Sequence, residues 1–170
     1  GKQALVYAFM TLLNERDEVL IPEPTWVSYS AMVTIGGGVP AAVPTTEENC
    51  FKADSHDIES AITERTKLLV LVNPGNPTGT LYTKKDLEKI AEVVAKHDLM
   101  VIADEIYEKI VFDGAQFVSF ASLPDMFQRT VTINGFSKSH AMTGWRLGYA
   151  AAPVQIIEKM LILQQQMATC

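Results

Sequence analysis

Cysteine is almost missing from this sequence. Cys50 and Cys170 are the only two in 170 residues. They lie far apart and without metal-ligand spacing, which excludes a disulfide framework and a structural zinc site. Two reduced thiols fit a cytosolic protein, so a cytoplasmic location is expected. Long apolar runs are also lacking: none reaches the roughly 20 residues that cross a bilayer, and no basic start followed by an apolar stretch suggests a signal peptide. Basic residues are in deficit, 14 Lys and Arg against 20 Asp and Glu, for a net charge of −6. Neither nucleic acid nor an anionic membrane is an expected partner, since each needs a basic face. His56, His97 and His140 are scattered and make no metal pattern. His97 falls at the end of a predicted helix, where a solvated or capping role suits it. No Pro/Ser-rich linker and no repeat divides the chain.

What is present is an ordinary globular balance, 48% hydrophobic and 20% charged. The chain is long enough to bury about 70% of its unfolded surface as one domain. Leu5, Phe9, Leu12 and Leu13 mark one face of an opening helix. Glu18 to Ile21 reads as a buried strand ending at Pro22, and Trp26 to Ile35 as a helix closed by Gly36, Gly37 and Gly38. Val39 to Val43 reads as a strand that Pro40 and Pro44 confine to an edge or to its ends. Asp54 to Ile62 predicts a short helix capped by Asp54 or Ser55. Lys67 to Val72 is almost continuously apolar, as a strand covered on both faces is. Thr83 caps the clearest helix, with Leu87, Ile90, Ala91 and Val94 spaced i, i+3, i+4, i+7. Strands over Leu99 to Ala103, Thr130 to Ile133 and Leu147 to Ala151 follow, then a helix over Val154 to Met167 with a broad apolar face. This alternation predicts an α/β fold, a three-layer α/β/α sandwich with a mainly parallel sheet.

In such a sheet ligands bind at the carboxyl ends of the strands. Three motifs fall there: Asn73-Pro74-Gly75-Asn76-Pro77-Thr78-Gly79, Asp104-Glu105-Ile106-Tyr107 and Gly135-Phe136-Ser137-Lys138. Lys138 is bracketed by small and hydroxyl residues, and eight residues on, Arg146 stands among apolar neighbours, where burial is expected. Such a lysine can attack an aldehyde and such an arginine can hold a phosphate. Pyridoxal phosphate (PLP) combines both groups. Each residue also has a plainer reading, as a solvated lysine and an ion-paired arginine. Asp104 directly follows Val101-Ile102-Ala103, so burial is expected, and a buried aspartate needs a cationic partner. Its plainer reading is a helix cap or surface carboxylate. Trp145 is expected in the core.

Two further runs, Gly1-Lys2-Gln3-Ala4-Leu5 and Pro24-Thr25-Trp26-Val27-Ser28-Tyr29, join these, and Ser137-Lys138 leads on through Met142-Thr143-Gly144-Trp145-Arg146-Leu147-Gly148-Tyr149. With these five motifs in order, the sequence resembles the fold-type I, PLP-dependent aminotransferases of class I/II. It is most similar to the branch containing prokaryotic-type aspartate aminotransferases, across essentially the whole chain. The resemblance implies that Lys138 carries PLP as a Schiff base and, once displaced by substrate, moves a proton between the substrate α-carbon and the cofactor C4′. Asp104 would pair with the pyridine nitrogen. Asn76 and Tyr107 would hydrogen-bond the phenolic oxygen, and Trp26 and Ile106 would cover the two ring faces. Arg146 and the backbone of Gly1, Lys2 and Gln3 at a helix N-terminus would hold the phosphate. By residue type alone, Asn76 is also a turn residue, and Tyr107 and Trp26 are also core packing.

The resemblance further implies amino acid and 2-oxo acid substrates and a homodimer. Lys2, beside the phosphate site, can meet a substrate's distal carboxylate and favour aspartate or glutamate; it also reads as a solvated helix-start lysine. Two departures stand out. Many relatives carry Ser or Thr three residues before the lysine, where this chain has Gly135, so Ser137 or Ser139 would supply the hydroxyl. The family's chains are also more than twice as long. Residues 1–170 are therefore expected to be an incomplete PLP-binding large domain, without the N-terminal arm and the C-terminal small domain that supplies an arginine for the substrate α-carboxylate. Lys138, Asp104 and Arg146 would serve C–S β-elimination, racemisation or decarboxylation equally well. A non-catalytic regulator that keeps the fold is the reading from another class.

Overall fold

Helix α1 (Lys2–Leu12) opens the chain and is followed by β1 (Glu18–Glu23), α2 (Ser28–Ile35), β2 (Val39–Pro44), α3 (Ser55–Ser60) and β3 (Thr66–Val72). Then come α4 (Lys84–Lys96), β4 (Met100–Asp104), β5 (Thr130–Gly135), β6 (Gly148–Ala151) and α5 (Val154–Met167). The computed structural model describes residues 1–168. Cys170 lies outside them, and Cys50 is an exposed free thiol. The six strands form one sheet in the order β2-β1-β3-β4-β5-β6, parallel throughout except for the antiparallel pair β5–β6.

Residue alternation along the strands builds a core on each face. Leu20, Leu69, Leu71, Val101 and Ala103 pack toward α3 and α4, against Ile58, Leu87, Ile90 and Val94. Val19, Ile21, Leu68, Val70, Ile102, Val131 and Ile133 pack toward α1, α2 and α5, against Leu5, Phe9, Tyr29 and Met32. This is why the β3 run is apolar at successive positions: both of its faces are covered. The α/β/α sandwich forms as its periodicities predict. Helix α5 buries less than its composition suggests, with Met160 covered but Leu161 and Ile162 exposed.

Local chemistry sets several boundaries. Asp54 and Thr83 cap α3 and α4, each in a reciprocal capping box with Asp57 and Asp86. The ligand atoms of Asp54, His56 and Asp57 lie within 4.8 Å of one another, a proximity that the α3 capping box accounts for. His97 ends α4, its Nε2 2.8 Å from Glu59 Oε1. Pro22 does not stop β1, which runs on to Glu23 paired with β2 alone; a proline is tolerated where one side of a strand is unpaired. Helix α2 begins at Ser28 rather than Trp26, because the Trp26 carbonyl first accepts a tighter turn bond from the Tyr29 N–H at 3.2 Å.

One feature of the topology creates the site. The chain leaves β1 toward β2 and returns to β3 on the opposite side, so the connections diverge between β1 and β3. Pairing of these two strands stops at Leu20 and Leu69. Beyond it β1 follows β2, β3 follows β4, and a crevice opens at their carboxyl ends. Among the described residues no helix is long and apolar enough to cross a membrane.

Candidate active site

A cavity of about 320 Å³ sits over this crevice, of the size that encloses a small cofactor. The strand ends deliver its walls. Trp26 follows β1, Asn76 follows β3, Asp104, Ile106 and Tyr107 come from the end of β4, and Ser137 and Lys138 follow β5. Arg146 and Thr143 reach it from the turn before β6, and Gly1, Lys2 and Leu5 from the start of α1. Of the site residues expected from sequence, Gln3 and the alternative hydroxyl Ser139 are not on its wall. The Gln3 side chain turns away to donate to the Tyr7 hydroxyl, and it borders a separate groove between α1 and α5.

Asp104 closes the deep side. It is buried at 5% exposure, the last residue of a central strand. Tyr29 Oη donates to Oδ2 at 2.7 Å and the Ile106 N–H to Oδ1 at 3.2 Å. Burial raises its pKa above the ordinary carboxylate value, and these two donors oppose the rise without cancelling it. The buried Tyr29 phenol is pushed well above its usual pKa by burial and by the Asp104 charge. Tyr29 was not singled out from sequence, where an aromatic in the first turn of a helix reads as core. Leu5 and Thr143 were missed too, although both fall inside recognised motifs.

Asn76 and Tyr107 form the neighbouring wall, the Asn76 amide donating to Tyr107 Oη at 3.4 Å. The loop bearing Asn76 closes through Gly75 N–H to the Thr80 carbonyl at 2.7 Å, and Gly79 at φ 72° permits the reversal. Tyr107 is half-buried rather than core, and Lys138 Nζ lies 5.6 Å from its ring centroid. Lys2 Nζ lies 4.6 Å from the Trp26 ring centroid, which meets Tyr29 edge-on at 5.4 Å.

The opposite end is cationic. The first bond of α1 runs from the Leu5 N–H to the Gly1 carbonyl at 3.0 Å, so the earlier N–H groups stand free of the helical ladder at its end. Arg146 departs from its expected burial. It is exposed, its backbone left-handed at φ 56°, and its guanidinium donates to the Thr143 carbonyl at 2.9 Å. Trp145, expected in the core, is 71% exposed. The apolar neighbours that suggested burial, Trp145 and Leu147, are themselves uncovered beside the edge strand β6. Lys138 is exposed as well. Position 135 is crowded. A Cβ on Gly135 would stand 2.9 Å from the Leu147 carbonyl oxygen and 3.1 Å from Gly148 Cα. Ser137 lines the cavity, whereas Ser139 hydrogen-bonds His140 Nδ1 at 2.8 Å and the Gly135 carbonyl at 3.4 Å.

The donor set fits PLP. Arg146, Ser137 and the α1 N-terminus suit a phosphate, Asp104 suits a protonated ring nitrogen, Asn76 and Tyr107 suit a phenolic oxygen, and Trp26 and Ile106 offer apolar cover. The fold is a mostly parallel α/β/α sandwich with this cavity at the carboxyl ends of its strands. The chain belongs to the aminotransferase class I and II family, whose model matches residues 1–170. It is 50% identical to an aspartate aminotransferase of Pyrococcus abyssi over 170 residues, covering all of this chain and 44% of that protein. It is 49% identical to aromatic-amino-acid aminotransferase 2 of Thermococcus litoralis, over 99% of this chain and 43% of the relative. Among solved structures, the aromatic aminotransferase of Pyrococcus horikoshii superposes with a TM-score of 0.97 at 49% identity, over 99% of this chain and 45% of that one. The chain thus spans less than half the length of these relatives.

Proposed function

We propose that this chain is the cofactor-binding large domain of a PLP-dependent aminotransferase, moving an amino group between an amino acid and a 2-oxo acid. The convergence of Lys138, Asp104, Asn76, Tyr107 and Arg146 from separate elements on one cavity carries this reading. When bound, PLP supplies an aldehyde carbon and an electron-accepting ring. Lys138 would hold the cofactor through its amine and, when that amine is free, would carry the proton between the substrate α-carbon and the cofactor C4′. Asp104 holds a proton on the ring nitrogen. Asn76 and Tyr107 hydrogen-bond the phenolic oxygen, while Arg146 and Ser137 grip the phosphate. Trp26 and Ile106 would give the ring apolar cover. Relatives named as aminotransferases support transamination over elimination, racemisation, decarboxylation or a regulatory role.

The relatives' names divide between aspartate and aromatic substrates at nearly equal identity, so the substrate is argued from charge. With Lys138 and Arg146 committed to the cofactor, Lys2 is the remaining cation on the cavity wall, and its ammonium favours a substrate with a distal carboxylate such as aspartate or glutamate. The protein is read as a cytoplasmic homodimer, and the exposed Trp145, Leu147 and Tyr149 support a covered surface beside β6. Borohydride reduction of the intact, cofactor-loaded protein, followed by peptide mapping, should place the pyridoxyl group on Lys138, and an amino acid panel should yield 2-oxo acids. A label on Lys109 or Lys159, or no keto acid product, would overturn the reading.

A further inference from the structure

We propose that Tyr29 is a positioning residue for Asp104, its phenol hydroxyl fixing how the carboxylate is turned toward the cavity and keeping it an acceptor. This rests on the cofactor-binding reading of the cavity. The bond joins residues 75 positions apart at 2.7 Å, with Tyr29 1% and Asp104 5% exposed. Both partners are held. The Trp26 ring abuts the Tyr29 ring edge-on at 5.4 Å, and the Asp104 carbonyl accepts the Asn73 N–H at 3.0 Å.

One donor sits on each carboxylate oxygen, Tyr29 Oη on Oδ2 and the Ile106 N–H on Oδ1. Two donors on fixed elements leave the side chain one orientation, with lone pairs left over for a cation in the cavity. Without the phenol only a backbone donor remains, and a buried carboxylate with fewer donors favours its neutral form. A phenol is suited to this place because burial and the adjacent anion keep its proton on. The other groups around the carboxylate are Gly1 and Lys2 from α1, Tyr107 after β4, Lys138 after β5 and Arg146 before β6. Glu105 instead binds Ser119 and the Phe120 N–H.

The test compares Tyr29→Phe, Asp104→Asn and the double variant with the parent in the intact protein. Unfolding is measured cofactor-free at pH 5 and pH 8, and PLP binding is followed by visible absorption. Phenylalanine keeps the ring and its packing and removes only the donor. Its folded-to-unfolded ratio should fall more at pH 8 than at pH 5, by about ten- to hundredfold against about fivefold, because a charged acceptor holds the donor more strongly than a neutral one and the carboxyl is the more ionised at the higher pH. In the Asp104→Asn background this pH dependence should vanish. With PLP, Lys138 should still take the label, the affinity should drop about tenfold, and the pH midpoint of the bound cofactor's absorption should move upward. Equal losses at both pH values, or the same losses in the Asp104→Asn background, would show that Tyr29 only packs. If the parent binds no PLP while the cofactor-free coupling persists, the proposed function fails and the role of Tyr29 stands.

Discussion

Replacing Glu105 with Gln should stabilise the protein above neutral pH relative to its effect in mild acid. Glu105 is 3% exposed, and its Oε1 accepts the Ser119 hydroxyl at 2.9 Å and the Phe120 N–H at 3.0 Å. Burial, with the charges of Glu108 and Asp104 adding to it, pushes the carboxyl from its ordinary 4.5 up to about 7 despite those bonds. Between these values the folded protein holds a proton that the unfolded chain releases. The stability this group contributes is therefore fully present below pH 4.5 and is lost as pH rises through about 7. At ~1.4 kcal/mol per pH unit between 4.5 and about 7, the full loss amounts to roughly 3–4 kcal/mol, of which roughly 2–3 kcal/mol falls above pH 5. Glutamine keeps the Oε1 acceptor and cannot ionise. Its amide in place of the carboxyl hydroxyl shifts stability by an amount common to all pH values, which cancels when pH values are compared. Urea unfolding of variant and parent at pH 5, 6, 7 and 8.5 reads the effect. The gap in the variant's favour should widen by roughly 2–3 kcal/mol across the series, moving its midpoint relative to the parent by about 1 M. A gap that stays flat with pH, or narrows, would refute a buried, proton-holding Glu105.

Two further outcomes follow from the site and its frame. Asp104→Ala in the intact protein should retain PLP yet slow exchange of the substrate α-proton about a thousandfold or more, a loss of ~4 kcal/mol of transition-state stabilisation; near-normal exchange would remove Asp104 from its role at the ring nitrogen. Gly135→Ala should cost about 1–3 kcal/mol in urea unfolding, because the new Cβ meets the β5–β6 backbone at 2.9–3.1 Å rather than a movable side chain; an unchanged midpoint would show that the ladder can shift.

Periodicity alone determined most of the architecture. The alternating Leu and Val residues of β3, the i, i+4 apolar face of α4 and the Thr83 cap are local patterns, and each formed where it was expected. The motif residues were legible for the same reason: Asn76, Asp104 and Lys138 each stand at or within a few residues of the carboxyl end of a strand, and a parallel sheet sends all such positions to one edge. What tertiary structure alone decided are relations between segments far apart in sequence. The Tyr29 phenol reaches Asp104 across 75 residues, because the divergence of β1 from β3 opens the crevice under α2. Arg146 and Trp145 lie exposed because cover depends on what packs over the edge strand β6, which their own apolar neighbours cannot report. Glu105 is buried while Lys138 is exposed, although both follow strand ends, because Ser119 and Phe120 fold back over the one and the cavity mouth leaves the other open.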